Sequence, residues 1–419
     1  MTDIIIILLS IPPLLISFNY IIKGVLSSAV VIYPVFFIFY VSPSFLNTLY
    51  GVPNYSAKFE NFRIANDDHL TAIIYSSFVC LILIYFTYKL LSSKKANLIR
   101  SNSIGNPVVN KLLLFFSFSG IALVFFSPNP EVYFNYGDIR GMYGTEDYLF
   151  YAHVSFACVI SAFCVLMLRF FYGKNINSIK GIVLVIILIL DAFFNGKRLL
   201  MFFIPVYFMI GYFFSNNKWL EAIKVLLSLI IFVTFYNVYT DEIKFKNLNY
   251  KSEEEIYEGL RIDFGRDDVL KYSIYKNIVV GESIVEYPGQ TILGTLVAYL
   301  PRSFFPNEEM KPYPYAQYLT NSLVYNQSGA GLRGWTVTTS FIDEFISNFG
   351  ILGFLLVILF YNKCFNYIDK LDSQNYRFFF YIIFAFLHVI HPHGFMPLVY
   401  IGIFMIVKLH FKSYRFRAN

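Results

Sequence analysis

"GIVLVIILILDAFFNGKRLLMFFIPVYFMIGYFF", residues 181 to 214, is almost wholly apolar and aromatic; its only charges are Asp191, Lys197 and Arg198. As helix, about 17 residues on either side of the Asn195-Gly196 pair reach roughly 25 Å, near the thickness of a hydrocarbon core of about 30 Å. Asn-Gly suits a tight reversal. The stretch therefore reads as a membrane hairpin over 179–195 and 198–214, slightly short for a bilayer. Its cationic tip is expected at or just below the boundary, where a charge is costly and takes a partner. Asp191, one helical turn before Asn195, is the expected partner; snorkelling of Arg198 to headgroups is the alternative.

The rest of the chain has the same character. Of 419 residues, 57% are hydrophobic, 20% aromatic and 14% charged, against about a quarter charged in a soluble protein. This composition excludes an ordinary soluble enzyme, and no basic patch points to nucleic acid. Apolar runs of spanning length predict eleven helices, near 4–22, 25–41, 70–91, 111–127, 148–171, 179–195, 198–214, 224–240, 338–361, 377–391 and 395–410. Three segments follow: eight helices over 1–240, a polar loop region over 241–337, and three helices with a basic tail over 338–419. Within the loop region "TILGTLVAYL" (291–300) is apolar but too short to cross, so it reads as a re-entrant or interfacial helix. The first run lacks the flanks of a cleaved leader and is read as an uncleaved span. Cys80, Cys158, Cys164 and Cys364 have neither metal-ligand nor disulfide-framework spacing.

Orientation follows from Lys and Arg, which collect in short cytoplasmic loops. Lys94, Lys95 and Arg100 share one loop and Lys412, Arg415 and Arg417 the tail, while the acids on that side are Glu221, Asp369 and Asp372. The C-terminus is thus expected inside, and the N-terminus and the loop region outside.

The candidate chemistry lies on that outer side. Besides Lys197 and Arg198, the loop region carries Arg261 and Arg266 in "GLRIDFGRDD", Arg302 in "YLPRSFFPNEEMKPYP" and Arg333 in "GLRGWTVTTS". Guanidinium is suited to phosphate because its planar fork donates paired hydrogen bonds and stays charged when desolvated. Neighbouring acids, among them Asp263, Asp267 and Asp268, offer ordinary ion pairing instead. In "TTSFIDEFISNFGILG", Ser340 and Asp343 have capping-box spacing, which favours a structural Asp343. Glu344, one turn beyond Ser340, is a candidate general base. "HPHGFMP" (391–397) adds His391 and His393, either of which suits a base near neutral pH; two histidines without a third ligand make a poor metal site.

In their order, "NGKRLLMFF", "LPRSFFPNEEMKP" and "RGWTVTTSFIDEFISNFGILG" resemble the Wzy-type oligosaccharide repeat-unit polymerases, the O-antigen and capsule polymerases of bacterial inner membranes, over roughly 130–400. The resemblance implies an all-α polytopic fold, a helical bundle of the GT-C glycosyltransferase kind with a large external loop region. It implies oligosaccharide units on undecaprenyl diphosphate as substrate, joined on the periplasmic face without metal or other cofactor. The bilayer and the pathway's chain-length regulator and flippase would be partners. Arg198, Lys197, Arg261, Arg266, Arg302 and Arg333 would hold diphosphate, and Glu344, His391 or His393 would take the acceptor's proton. The alternatives are an O-antigen ligase-like glycosyltransferase and a lipid-linked oligosaccharide flippase or transporter.

Overall fold

A computed structural model describes residues 2–23, 25–92, 107–134, 146–171, 179–195, 198–201, 203–214, 217–239, 253–300, 302–307, 310–331, 336–371 and 374–415. Among them the regular elements are helices, and there is no β-strand. In chain order the α-helices are α1 (Thr2–Ile22), α2 (Ser28–Phe36), α3 (Ser42–Tyr50), α4 (Glu60–Asp67), α5 (His69–Ser92), α6 (Pro107–Phe125), α7 (Glu131–Phe134), α8 (Glu146–Phe171), α9 (Ile179–Phe194) and α10 (Arg198–Met201). They continue with α11 (Phe203–Phe214), α12 (Lys218–Tyr239), α13 (Glu253–Phe264), α14 (Arg266–Ile274), α15 (Gln290–Leu296), α16 (Tyr315–Tyr325), α17 (Phe341–Phe349), α18 (Ile351–Asp369), α19 (Gln374–Leu387) and α20 (Met396–Arg415).

Among the described residues four helical stretches are long and apolar enough to cross a membrane: Thr2–Ile22, Ser28–Tyr50 (α2 and α3 joined by a π-helical turn over Phe37–Val41), His69–Ser92 and Ile351–Asp369. Other expected spans appear as shorter apolar helices, among them Asn110–Phe125, Val183–Phe194 and Tyr376–Leu387. The span expected at 338–361 divides in two. Gly350 stands between α17 and α18 with φ 56° and ψ −131°, a conformation that a Cβ resists, so α17 stops and the long apolar helix begins only at Ile351. Asp343 and Glu344 accordingly lie on a separate short helix outside the spanning one.

The chain divides into two compact units that cut across the three sequence segments. The first contains 1–98, 248–372 and 384–393. In it α1 packs on α2 and α5. Tyr33 donates to the Ser10 carbonyl (2.6 Å) and Ser17 to the Val30 carbonyl (3.0 Å), polar links within apolar surroundings. At the far end of α18, Asp369 accepts the backbone N–H and the hydroxyl of Ser28, both at 2.8 Å, and so anchors the start of α2. Within the polar stretch expected as a loop region, the described residues form helices α13 to α16. Its α14 and α16 share a core with the 55–65 segment, in which Phe62, Tyr272, Tyr315 and Leu319 are buried together. The short apolar helix expected near 291–300 is present as α15.

The second unit contains 99–247, 373–383 and 394–419. Its centre is α6 packed on α8 and α9, and α12 packs on α11 while exposing Leu226, Leu227, Ile230 and Val233. Such an outward apolar face is what lipid, rather than water, tolerates along a whole helix.

Candidate functional site

Helix α17 begins with the capping box that its sequence spacing predicts. The Ser340 hydroxyl accepts from a backbone N–H of the first turn, and Asp343 accepts the Ser340 N–H at 2.9 Å. This fixes the first turn and with it the neighbouring Glu344, which is 3% exposed. Asn348, one turn on, donates to the Glu344 carbonyl at 2.8 Å and to the Thr291 hydroxyl at 2.7 Å. Thr291 in turn donates to Glu344 Oε1 at 2.9 Å. The other carboxylate oxygen, Oε2, lies 3.2 Å from Nε2 of His391, which follows α19 and is 6% exposed.

The imidazole's tautomer follows from its partners. His391 Nδ1 accepts the backbone N–H of His393 at 3.2 Å, so in the neutral ring the proton sits on Nε2 and is directed at Glu344. Thr295 Oγ1 stands 3.5 Å from the same nitrogen. His393 stacks its ring on Tyr299 with centroids 5.4 Å apart, and its carbonyl accepts the Tyr299 hydroxyl at 2.8 Å. Thr291 and Thr295 share a face of α15, whose close seating depends on Gly294: a Cβ there would lie 2.1 Å from the Tyr313 carbonyl oxygen.

Arg266, the first residue of α14, approaches the 388–391 segment by another route. Its Nε donates to the Val389 carbonyl at 3.0 Å and its guanidinium lies 5.5 Å from the Phe39 ring centroid. The side chain is fully buried, yet both terminal nitrogens lack a hydrogen-bond partner. Asp343 and Tyr40 are within electrostatic range, and the Tyr40 hydroxyl donates to Ser340 at 2.6 Å. Burial raises the Asp343 carboxyl to about 7, against the hydrogen bonds from Ser340 and the attraction of Arg266, which favour its ionised form.

Between an ordinary carboxylate value of about 4 and the folded value of about 7, the folded chain holds a proton that the unfolded chain has released. Asp343 therefore contributes full stability below about pH 4 and loses it as pH rises through 7. Thermal unfolding of wild type and Asp343→Asn across this range should show the pH-dependent fall in the wild type and a shallower one in the variant; parallel curves would exclude Asp343 as the titrating group.

Arg261 has a different fate from Arg266. Its Nη2 contacts Asp267 and Asp268 at 2.7 Å each, its Nε donates to Asp268 at 3.2 Å, and Nη1 donates to Asn47. Lys271 pairs with Asp267 at 3.1 Å, and the Tyr55 hydroxyl donates to Asp268. The donors expected to hold diphosphate are thus committed to a buried ion-pair network, and Arg261 is a structural residue in this arrangement. Both carboxyl oxygens of Asp191 are buried without a hydrogen-bond partner, and its expected pairing with the hairpin cations falls on side chains outside the described residues. Lys197 and Arg333, and the side chains of Arg198 and Arg302, lie outside the described residues.

The structure therefore brings together Glu344, His391 and His393, which stand 47 and 49 positions apart by number, and sets Arg266 on the same 388–391 segment. Sequence reading missed Thr291, Thr295 and Asn348. The spacing of four between Thr291 and Thr295, and between Glu344 and Asn348, is the signal that marks them as sharing helix faces. Among the described residues, no group of three His, Cys, Asp or Glu could hold a metal ion. Compared with models of protein families, with curated proteins and with solved structures, the chain matches none.

Proposed function

We propose that this chain is a repeat-unit polymerase of the O-antigen or capsule kind, joining undecaprenyl-diphosphate-linked oligosaccharides at the periplasmic face of a bacterial inner membrane. The observation that carries the reading is the pairing of a buried guanidinium whose terminal nitrogens are bare with a Glu–His pair beside the same short segment. An unpartnered buried charge is costly, and sites that retain one are commonly functional.

In the proposed reaction Glu344 accepts the proton of the acceptor sugar hydroxyl, and the oxygen attacks the donor's anomeric carbon as its bond to the lipid diphosphate breaks. Arg266 neutralises charge on the departing diphosphate. Glu344 is favoured over His391 because the acceptor nitrogen of His391 is already occupied by the His393 amide, which leaves His391 to orient the carboxylate. On sequence position, Lys197, Arg198, Arg302 and Arg333 belong to the same phosphate-binding set. Eleven spans, with the N-terminus periplasmic and the C-terminus cytoplasmic, form part of the proposal.

Purified protein incubated with a synthetic lipid-diphosphate repeat unit is expected to yield a ladder of lengthening glycan. In cells, deletion should leave single-repeat glycan at the surface. No surface glycan would point to a flippase, and unattached long polymer to a ligase; either result, with no ladder in vitro, overturns the polymerase reading.

A further inference from the structure

Asp191 sits in the last turn of α9, within the second unit, and takes no part in the site described above. Its side chain is completely buried, and neither Oδ1 nor Oδ2 has a hydrogen-bond partner. The carboxyl lies hard against α6: a Cβ at Gly120 would come within 2.7 Å of Oδ1, so a glycine hydrogen is what permits the approach. Val159 of α8 closes the same spot, its side chain 3.1 Å from that point.

The nearby polar donors are committed elsewhere. Ser155 of α8 directs its hydroxyl toward the Gly120 carbonyl (3.2 Å) and Asn195 Oδ1 (3.1 Å). The Asn195 amide donates to the Asp191 backbone carbonyl at 3.0 Å. Among the described residues the Cys158 thiol of α8 is in electrostatic range, and it supplies no positive charge. Among the described side chains of α6, α8 and α10, the helices packed on α9, no cation faces the carboxyl.

Among the described residues an ionised carboxylate here would have neither a free donor nor a counter-charge, whereas a protonated acid carries no net charge and adds a donor of its own. We infer that Asp191 is a proton-binding site: its carboxyl is held as the acid among the apolar helices of the second unit. Such a group should also react with an apolar carbodiimide. The acid proton passes to one carbodiimide nitrogen while the carboxyl oxygen bonds to the central carbon; the acyl group then shifts to the other nitrogen, breaking the C–O bond and forming C–N. No atom is lost, and no oxidant is needed.

The test is to treat the full chain in liposomes with dicyclohexylcarbodiimide and map the adduct by peptide mass spectrometry. Asp191 should be labelled, Asp191→Asn should not be, and the rate should fall about tenfold per pH unit once the carboxyl titrates. A water-soluble carbodiimide should label exposed acids such as Glu60 and leave Asp191 unmodified. Equal labelling by both reagents would overturn the proposal, since the group would then be open to water. Protection by sodium chloride but not choline chloride would also overturn it, in favour of a metal cation on a carboxylate. If the Asn variant does not fold, the pH dependence of the wild-type adduct decides: labelling that is absent or unchanged across the series ends the proposal. The inference rests on the second unit alone and is independent of the polymerase reading.

Discussion

Arg266→Met is expected to lower the rate of glycan joining by about 10²- to 10³-fold, the loss typical of one donor that stabilises developing charge, while raising the melting temperature. The two effects share one cause. A guanidinium buried to 0% exposure, with Nη1 and Nη2 unpartnered, is destabilising. Methionine keeps much of the apolar stem and its contact with Phe39, and replacing a buried ion by a hydrophobe is often neutral or stabilising by about 1–4 kcal/mol. The change also removes the positive charge near Asp343, whose carboxyl then protonates more readily and avoids a second buried charge. Ladder formation in vitro and thermal unfolding in detergent read the two effects separately. Retained activity would remove Arg266 from the diphosphate set, and loss of stability together with activity would make it a structural residue.

The companion change, Arg261→Met, should behave in the opposite way. It strips the principal counter-charge from Asp267 and Asp268, both essentially buried, and leaves Lys271 on Asp267 alone. Breaking a buried pair by removing one partner costs about 3–5 kcal/mol, because the remaining charge has no compensation. Arg261→Lys should recover little of this, since one ammonium cannot reproduce the fork that spans both carboxylates and Asn47. Thermal unfolding of both variants checks this. A stable but inactive Arg261→Met protein would return Arg261 to the substrate-binding role that its sequence context suggests.

These two arginines show where sequence reading stops. They stand five positions apart in "GLRIDFGRDD", among the same acids, and hydropathy and charge treat them alike. What separates them is the break at Gly265, where the Arg261 carbonyl comes so near that a Cβ would lie 2.6 Å from it. The turn between α13 and α14 folds Arg261 back onto Asp267 and Asp268 and sends Arg266 toward Val389. Glu344 and His391 teach the converse lesson. Each was recognisable as a candidate base, and the capping box at Ser340 placed the first turn of α17, but neither spacing nor composition announced that the two would meet at 3.2 Å.

By itself the sequence determined the helical, membrane-seeking character of the chain, the short helix near 291 and the capped start of α17. These depend on sums over neighbouring residues: runs of apolar side chains and hydrogen bonds within one turn of backbone. Only the tertiary structure decided that Arg261 is neutralised while the terminal nitrogens of Arg266 are left bare, that His391 faces Glu344, that Gly350 divides the span expected over 338–361, and that the carboxyl oxygens of Asp191 lack a hydrogen-bond partner. The physical reason is that a charge takes its partner, or lacks one, through atoms within about 3 Å in space, a distance that chain order fixes only where a single turn of helix spans it.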